Sequence, residues 1–468
     1  MNVYVNEQFP YLDFMDIRPG DRVVLKPNLV KEGKETDKNE WKCVVTSPEL
    51  IRYVANYVCE KLQGKGEVFI CDAPQTDSSF EQIDKKLGLT KIASDCTSKY
   101  GVPVRIIDLR NEEWTSEKGI ITHKKKLAGD PNGTVLFNLE KNSLFYGHKG
   151  EGNYFGADSN YEELNKHHQG TIQEYLLCAT PIMADVVISL PKMKTHKKTG
   201  VTLSIKNFVG ITADKNYLPH HTWGSPKHGG DDYPDTSFKR QFETWGSKFV
   251  KRIIINIPFI GIKMAQILRA EGEKVFGATH NTIRSGNWYG NDTTWRMTLD
   301  LNRCLIYGNP DGTFRKTKKR YYSVIDGVIA MEGAGPMQGD PKECGVYISG
   351  EDPASVDTVA TTLMGFDWRK LPVVYEAFSK HEMPISEIDP QTINIVSDIK
   401  DWRGSLDERR SILILFLILA GRGISSYLII KRQMTNEHYI YLLFPPLLAS
   451  KYRSLSSRLQ TKETAFQR

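Results

Sequence analysis

Basic side chains are concentrated in one stretch of the sequence, from Ala184 to Asn216. An apolar run, Val186 to Leu190, is stopped by Pro191, which is the pattern of a buried strand closed by a proline. A basic loop follows, carrying Lys192, Lys194, His196, Lys197 and Lys198. A helix-like segment from about Gly200 then brings Lys206 and Asn207, before Gly210 breaks it. Open α/β sheets usually hold a ligand at such a strand–loop–helix junction.

The residue types in this stretch indicate an anionic ligand. Lys192, Lys194 and Lys206 would hold the anion, with Asn207 beside them. His196 would act as the acid–base, since the pKa of an unperturbed imidazole lies near neutrality.

Two other predicted strands also end in polar residues. Lys26 and Asn28 follow the apolar strand 21–25 and are placed to bind an anion or a substrate carbonyl, although a solvated lysine and a turn-forming asparagine fit the same pattern. Asp72 ends the strand 66–73, either as an active-site carboxylate or as a cap for a neighbouring helix. These side chains would lie beside the basic loop if the strands run parallel.

A glycine-rich segment follows the strand 321–325. Its Gly333 and Gly335 could bring backbone N–H groups close to a phosphate, but the GxGxxxG spacing and Pro336 do not match a dinucleotide-binding loop. The acids Asp326 and Glu332 could move a proton or bind a divalent cation. We therefore assign Asp72, Asp326 and Glu332 as candidate catalytic groups beside His196.

Histidines and aspartates are crowded into the loop 217–234. Ligand contact by His220 and His221, metal ligation and a plain polar loop all remain open, because no HxxxH or HExxH spacing is present. The adjacent pair His167 and His168 is predicted to lie on the surface. Asp357, on a helix among small apolar residues, needs a partner, for which Lys26, Lys192 or Lys206 would suit.

The order of the predicted elements indicates the fold class. The first 110 residues alternate strand and helix, which favours a parallel sheet. Turn signals and alternating apolar residues then indicate hairpins and long loops inserted into the α/β unit. We expect an α/β protein with a mostly parallel, Rossmann-like sheet flanked by helices, with β-hairpin and loop insertions.

Charge and cysteine content narrow the function classes. Residues 1–410 hold 54 basic and 54 acidic residues, so the net charge of +6 comes entirely from residues 411–468. A neutral body gives no reason to expect a nucleic-acid partner. The seven cysteines form no CxxC pair, which argues against an iron–sulfur cluster and favours small buried apolar residues. The N-terminus lacks the apolar core of a signal peptide, and a cytoplasmic location is expected.

The tail 411–468 departs from the body in composition. It opens with apolar runs at 412–420 and 424–430 around Arg422 and contains only two acids. A membrane or membrane-surface anchor, a buried terminal element and non-native sequence from a shifted reading frame remain open. Membrane contact is expected only through this tail, if it is native.

Six motifs together resemble the domain of unknown function 362 family. In chain order they are LKPNLV (25–30), TSPEL (46–50), ADVVISLPKMKTHKKTGVTLSIKNFVGI (184–211), DKNYLPHHTWGSP (214–226), DGVIAMEGAGPMQG (326–339) and GEDPASVDTVATTLMGFD (350–367). The resemblance implies one α/β domain over residues 1–410, with insertions at about 112–165 and 214–310, followed by the atypical tail. Some family members carry ferredoxin-type cysteine clusters, and this chain has none. The version with the LPHH loop resembles proteins encoded near cell-surface polysaccharide genes.

Two functional hypotheses follow. The first is an enzyme that acts on a phosphorylated or carboxylated small molecule. The resemblance would place it in cell-surface polysaccharide metabolism. Its cofactor is not identified, although the acids could bind a divalent cation. The second is a non-catalytic ligand-binding or assembly factor for polysaccharide machinery. Convergence of Asp72, His196, Asp326 and Glu332 around one cavity would favour the enzyme.

Overall fold

A mixed sheet of eleven strands forms the centre of the protein in the computed structural model, which describes residues 1–32, 41–117, 120–156, 160–234, 246, 285–399 and 402–406. Nine strands follow one path in the order β18-β17-β1-β16-β15-β11-β2-β3-β4, and β12 and β13 extend from β15. The run β15-β11-β2-β3-β4 is parallel throughout. The expected mostly parallel α/β architecture is confirmed.

The strands are β1 (Asn2–Asn6), β2 (Arg22–Pro27), β3 (Glu67–Asp72), β4 (Val104–Asp108), β5 (Glu112–Glu117), β6 (Ile120–Lys126), β7 (Thr134–Asn138), β8 (Tyr154–Phe155), β9 (His168–Gln169), β10 (Ile172–Cys178), β11 (Val186–Leu190), β12 (Lys192–His196), β13 (Gly200–Thr202), β14 (His221–Thr222), β15 (Arg320–Ala334), β16 (Gln338–Gly350), β17 (Asn394–Ser397) and β18 (Gly404–Ser405). The helices are α1 (Trp41–Val44), α2 (Pro48–Leu62), α3 (Phe80–Leu87), α4 (Leu89–Tyr100), α5 (Tyr161–Lys166), α6 (Ala179–Met183), α7 (Ser204–Asn207), α8 (Thr294–Tyr307), α9 (Pro353–Leu363) and α10 (Pro372–Tyr375).

Helices cover both faces of the sheet, and this explains the near-continuous apolar character of the central strands. Val23 and Leu25 of β2 pack with α2 and α4 on one face, whereas Val24 packs with α8 and α9 on the other. Strands buried on both faces lose the alternation of apolar and polar residues that one-sided sheets show. Six of the seven cysteines are buried, as expected for small apolar residues.

The first strand lies between two strands from the far end of the chain. β1 pairs antiparallel with β16, where Val3 faces Gly350, and parallel with β17, where Asn2 faces Asn394. Val3 and Val5 are fully buried by this arrangement. The N-terminal segment therefore joins the two parts of the sheet that are built from residues after 320.

Two local predictions were wrong. The expected basic loop is strand β12, whose five residues Lys192 to His196 are all buried and pair with β13 and β15. The expected glycine-rich loop, with Gly333 and Gly335, lies in and just after the outer end of β15, where Gly333 pairs with Gly339 of β16 in a long hairpin. In both cases the chain pairs within the sheet where a ligand-binding loop was expected.

A third prediction was wrong for one histidine. His168 is completely buried, and its ring contacts Gln173 Oε1 and the carbonyl oxygen of Tyr217. Burial lowers the pKa of His168 to about 4, so it is a neutral core residue.

The whole of the tail 411–468 and part of the central insertion lie outside the described residues. The structure therefore does not test whether residues 411–468 are a membrane anchor, a buried terminal element or non-native sequence. No helix within the described ranges combines the length and the apolar character needed to cross a bilayer.

Removal of the α2 cap should destabilise the protein. Ser47 Oγ accepts a hydrogen bond from the Leu50 N–H at 3.3 Å, so Ser47→Ala is expected to lower the free energy of unfolding by about 1 kcal/mol. Urea denaturation measures this change. Ser94→Ala, at an exposed interior position of α4, is the matched control and should be close to neutral; equal losses in the two variants would contradict the assigned cap.

Candidate functional site

The carboxyl ends of the parallel strands carry a buried ion pair. Lys26 at the end of β2 places its Nζ 2.6 Å from Asp72 Oδ1 at the end of β3, and both side chains are almost fully inaccessible to solvent. Asp72 Oδ2 also accepts a hydrogen bond from the Leu29 N–H at 2.7 Å. The pair occupies the sheet edge where doubly wound proteins hold ligands, and it fixes β2 to β3 there.

The chain passes directly over this pair at Gly210. A β-carbon at this position would overlap Asp72 Oδ1 and come within 2.8 Å of Lys26 Nζ. The Gly210 carbonyl oxygen accepts a hydrogen bond from the Ala73 N–H at 2.7 Å. Only glycine permits this approach, so Gly210 has a packing role in addition to ending a helical segment.

A second buried ion pair lies further along the sheet. Lys192 Nζ is 3.0 Å from Asp326 Oδ2, and this carboxylate also accepts the Ser47 N–H at the start of α2 at 2.7 Å. Asp326 is on β15 and Asp72 on β3, with β11 and β2 between them. Three strand spacings place the backbones of β15 and β3 about 14 Å apart.

The amide side chains of Asn28 and Asn207 link Lys194 to Lys26, in the region between the two ion pairs. Lys194 Nζ donates to Asn28 Oδ1 at 2.7 Å and to the Val44 carbonyl oxygen at 2.8 Å. Asn207 Nδ2 donates to the Lys26 carbonyl oxygen, and Asn207 Oδ1 accepts from Asn28 Nδ2 at 3.3 Å. Both acceptors of the Lys194 ammonium group are neutral. Burial is the main cause that lowers the pKa of Lys194 to about 7.

Lys206 differs from the other lysines at this edge. It projects from the short helix α7, whose first N–H groups, Ser204 and Ile205, are accepted by Asp357. Within the described residues, no hydrogen bond or ion pair involves the Nζ of Lys206, which is half-buried. Burial, together with the charges of Lys198 and Lys215, lowers its pKa to about 7.

The prediction that Asp357 pairs with a lysine was wrong. Asp357 accepts the Ser204 N–H at 2.8 Å and the Ile205 N–H at 3.0 Å instead. Burial raises the pKa of this carboxyl group to about 7. Its role is to start α7 and so to position Lys206.

Two histidines share the electrostatic environment of Lys206, and we call the three residues Lys206, His196 and His220 the Lys206 cluster. His196 Nδ1 accepts the Lys198 N–H at 3.0 Å, so a neutral ring carries its hydrogen on Nε2. His220 Nδ1 lies 2.9 Å from the Leu218 carbonyl oxygen, which fixes the opposite tautomer. In their neutral forms, the ring of His196 thus offers an N–H donor and the ring of His220 offers a nitrogen acceptor.

Both histidines are held neutral at physiological pH. Burial, followed by the charge of Lys206, lowers the pKa of His196 well below its usual value, and the same two causes lower that of His220 to about 3. A nearby cation opposes protonation of an imidazole, so the cluster cannot easily accumulate further positive charge. His196 in this state is a hydrogen-bond donor, and its assignment as the acid–base stays a prediction.

The remaining candidates are distributed along the edge. His221 belongs to β14, pairs with Phe155 of β8 and stacks on its ring at 5.4 Å. Glu332 lies on the outer part of β15 opposite Asp340, and Gly333 accepts a hydrogen bond from Thr195 Oγ1 through its carbonyl oxygen. The structure brings Lys26, Asn28, Asp72 and Asn207 together, and it separates Asp72 from Asp326 and Glu332.

One aspartate, Asp231, organises the histidine-containing loop 217–234 through hydrogen bonds. Asp231 accepts hydrogen bonds from the N–H groups of Thr222, Asp292 and Thr293. This network uses the carboxylate to hold the loop against α8. The described residues contain no group of three or more His, Cys, Asp or Glu side chains arranged to hold a metal ion.

Sequence reasoning missed Lys215, whose charge acts on Lys206 and His220 and whose own pKa is lowered, mainly by burial. It lies in a short 3₁₀ turn, Lys215–Tyr217, beyond the helical segment. A basic residue between Asp214 and Asn216 carries no recognisable motif, so only its position in space reveals it.

The buried pair supports a stability prediction. Lys26→Met leaves the Asp72 carboxylate buried without its ammonium group and should lower the free energy of unfolding by about 3–5 kcal/mol. The double variant Lys26→Met/Asp72→Asn removes the stranded charge and keeps an acceptor for the Leu29 N–H, so it should lose less. Urea denaturation compares the two; a double variant no more stable than Lys26→Met would contradict this account.

Known proteins with detectable similarity lie at low sequence identity. The thylakoid-associated protein sll1697 of Synechocystis sp. is 20% identical over 358 residues, which cover 76% of this chain and 67% of that protein. A crystal structure of a Thermotoga maritima protein is matched at 11% identity with a TM-score of 0.27, over 73% of this chain and 53% of the other. The chain thus spans about half the length of that solved protein.

A family model also matches most of the chain. The model described as domain of unknown function (DUF362) matches residues 23–130 and 142–362. These ranges include β2, β3, β11 and β15, and with them both buried ion pairs and the Lys206 cluster. The chain therefore belongs to the DUF362 family.

Proposed function

We propose that this protein binds a small anionic molecule at the Lys206 cluster. The observation that carries the proposal is the half-buried Lys206 ammonium, which meets no carboxylate among the described residues. Desolvating a cation without a counter-charge is unfavourable, and an incoming anion would relieve that cost. Two carboxylates of this edge, Asp72 and Asp326, are already paired with other lysines.

The two histidine tautomers narrow the class of ligand. His196 offers an N–H donor, and His220 offers an acceptor through Nε2. A ligand that satisfies both carries an anionic oxygen and a hydroxyl hydrogen. Phosphate monoesters of polyols and hydroxycarboxylates have this combination, which is the phosphorylated or carboxylated class expected from the basic residues.

Binding is favoured over turnover by the arrangement of the acids. Asp72 and Asp326 lie on strands whose backbones are about 14 Å apart, and each carboxylate is already bound to a lysine and a backbone N–H. Acid–base catalysis needs its groups within hydrogen-bond reach of one substrate. The non-catalytic alternative therefore has better support, and a role in polysaccharide machinery rests only on the resemblance.

One observation favours enzymatic action as a second candidate. The pKa of Lys206 is lowered to about 7, the range in which a lysine amine serves as a general base. Neutral Lys206 could then remove a proton from a bound hydroxyl or from a carbon beside a carboxylate. Exchange of deuterium from solvent into bound lactate, followed by NMR, tests this. If exchange is no faster than with Lys206→Met, the general-base role is rejected and only the binding role remains.

Loss of the Lys206 charge should remove binding. Titration calorimetry of the full chain with glycerol 3-phosphate and with lactate is expected to show Lys206→Met binding at least about tenfold more weakly, since a charged hydrogen bond contributes about 1.5–3 kcal/mol. Lys206→Arg keeps the charge and should retain part of the affinity. Lys65→Met, an exposed lysine at the amino end of β3, is the matched control; unchanged binding in Lys206→Met would refute the proposal.

Binding at this cluster should weaken as the pH rises. Lys206 must be charged to hold the anion, and its pKa of about 7 in the free protein means that the charged fraction falls up to about tenfold per pH unit above 7. A bound anion raises this pKa, so binding near pH 7 takes up protons. Calorimetry in two buffers of different ionisation enthalpy measures the uptake, and Lys206→Arg should reduce it.

A further inference from the structure

A separate cavity of about 210 Å³ lies beyond the carboxyl ends of β3 and β4. One wall is the arm formed by β5 and β6, and the opposite wall is the segment 212–216. Backbone hydrogen bonds fix both walls, from the Trp114 N–H to the Thr76 carbonyl oxygen and from the Ala213 N–H to that of Leu176. At roughly 30 Å³ per water molecule, the cavity has room for a small polar molecule and not for a polymer.

Two donors in this cavity are left without acceptors. The Thr212 hydroxyl is 1% exposed and has no hydrogen-bond partner among the described residues. Lys215, also a lining residue, takes part in no hydrogen bond or ion pair within the same ranges. Buried hydroxyl groups are almost always satisfied in folded proteins. An unsatisfied Thr212 hydroxyl and an unpaired, half-buried Lys215, on two residues that line one cavity, therefore indicate a missing acceptor.

Other charged side chains that line the cavity already have hydrogen-bond or ion-pair partners. Arg110 is buried and donates to Asp108 and to the carbonyl oxygens of Gln75 and Ser78. Glu112 accepts from Trp114 Nε1 at 2.9 Å and lies 3.8 Å from Lys124 Nζ. The Asp214 side chain accepts the Asn216 N–H at 2.8 Å. Among the residues that the structure describes, neither the Thr212 hydroxyl nor the Lys215 ammonium has an acceptor.

We propose that this cavity is a second binding site, which takes a small molecule through an anionic oxygen held by the Lys215 ammonium and the Thr212 hydroxyl. Neither residue belongs to the Lys206 cluster, so the site stands whether or not that cluster binds a ligand. The charge of Lys215 nevertheless reaches Lys206, for it contributes to the lowered pKa of that amine. An anion in the cavity therefore raises the pKa of Lys206, and each site senses the occupancy of the other.

The test uses the full chain carrying Lys206→Met, in which the cavity is studied alone. Inorganic phosphate, glycerol 2-phosphate and lactate are titrated by calorimetry, which separates phosphate from carboxylate recognition. Saturable binding of at least one probe is expected. Added Thr212→Val and added Lys215→Met should each weaken it about tenfold or more, because each removes a hydrogen bond to a charged group.

Two controls locate the effect. Lys65→Met carries the same change of charge at the opposite edge of the sheet and should bind as the parent does. Trp114 lines the cavity, so ligand should change the tryptophan emission of the parent, and Trp114→Phe should abolish that change while the protein still binds.

Stability separates loss of the site from loss of the fold. Thr212→Val replaces an unsatisfied hydroxyl by a methyl group of similar size, so its thermal midpoint should stay equal to that of the parent or rise. The proposal is overturned if no probe binds at up to about ten millimolar, or if Thr212→Val and Lys215→Met bind every probe as the parent does. Failure of the Lys206 cluster would appear separately, as equal binding by the wild type and Lys206→Met.

Discussion

The contact between the Lys26 ammonium and the Asp72 carboxylate underlies the whole sheet edge. It joins the ends of two central strands in a region with almost no access to water, where either charge alone would be strongly unfavourable. The chain between β13 and the histidine loop closes over it at Gly210, and Asn207 reaches back to the Lys26 backbone. The position of Lys206, one residue before Asn207, therefore follows from a pairing between strands far earlier in the sequence.

Positive charge exceeds negative charge along this edge, and the excess is not spread evenly. Lys26 and Lys192 each have an aspartate, and Lys194 has amide and carbonyl oxygens. Lys206 and Lys215 have no acceptor among the described residues. Proteins commonly break local rules of charge satisfaction at the sites where they bind something, which is why both lysines are interpreted as binding groups.

Apolar runs made much of the central sheet predictable. Val186–Leu190 is observed with the expected bounds, because an apolar run closed by a proline is a local signal. The segment 192–196 could not be predicted in the same way. Lysine and histidine rarely occupy a fully buried strand, and only the distant partners Asp326, Asn28 and Val44 allow it. The partner of Asp357 was missed for a related reason, since backbone N–H groups leave no trace in the residue types.

The position of β1 constrains how the molecule assembles. Its neighbours, β16 and β17, begin more than 330 residues later in the chain, so during synthesis the first residues remain without their hydrogen-bonding partners until most of the polypeptide has emerged. Closing so large a loop is a slow, late event in folding. The parallel strands β2 to β4, with their helices α2 to α4, have their partners nearby and can form first. The strands β17 and β18 join the sheet only once β1 lies between them and β16.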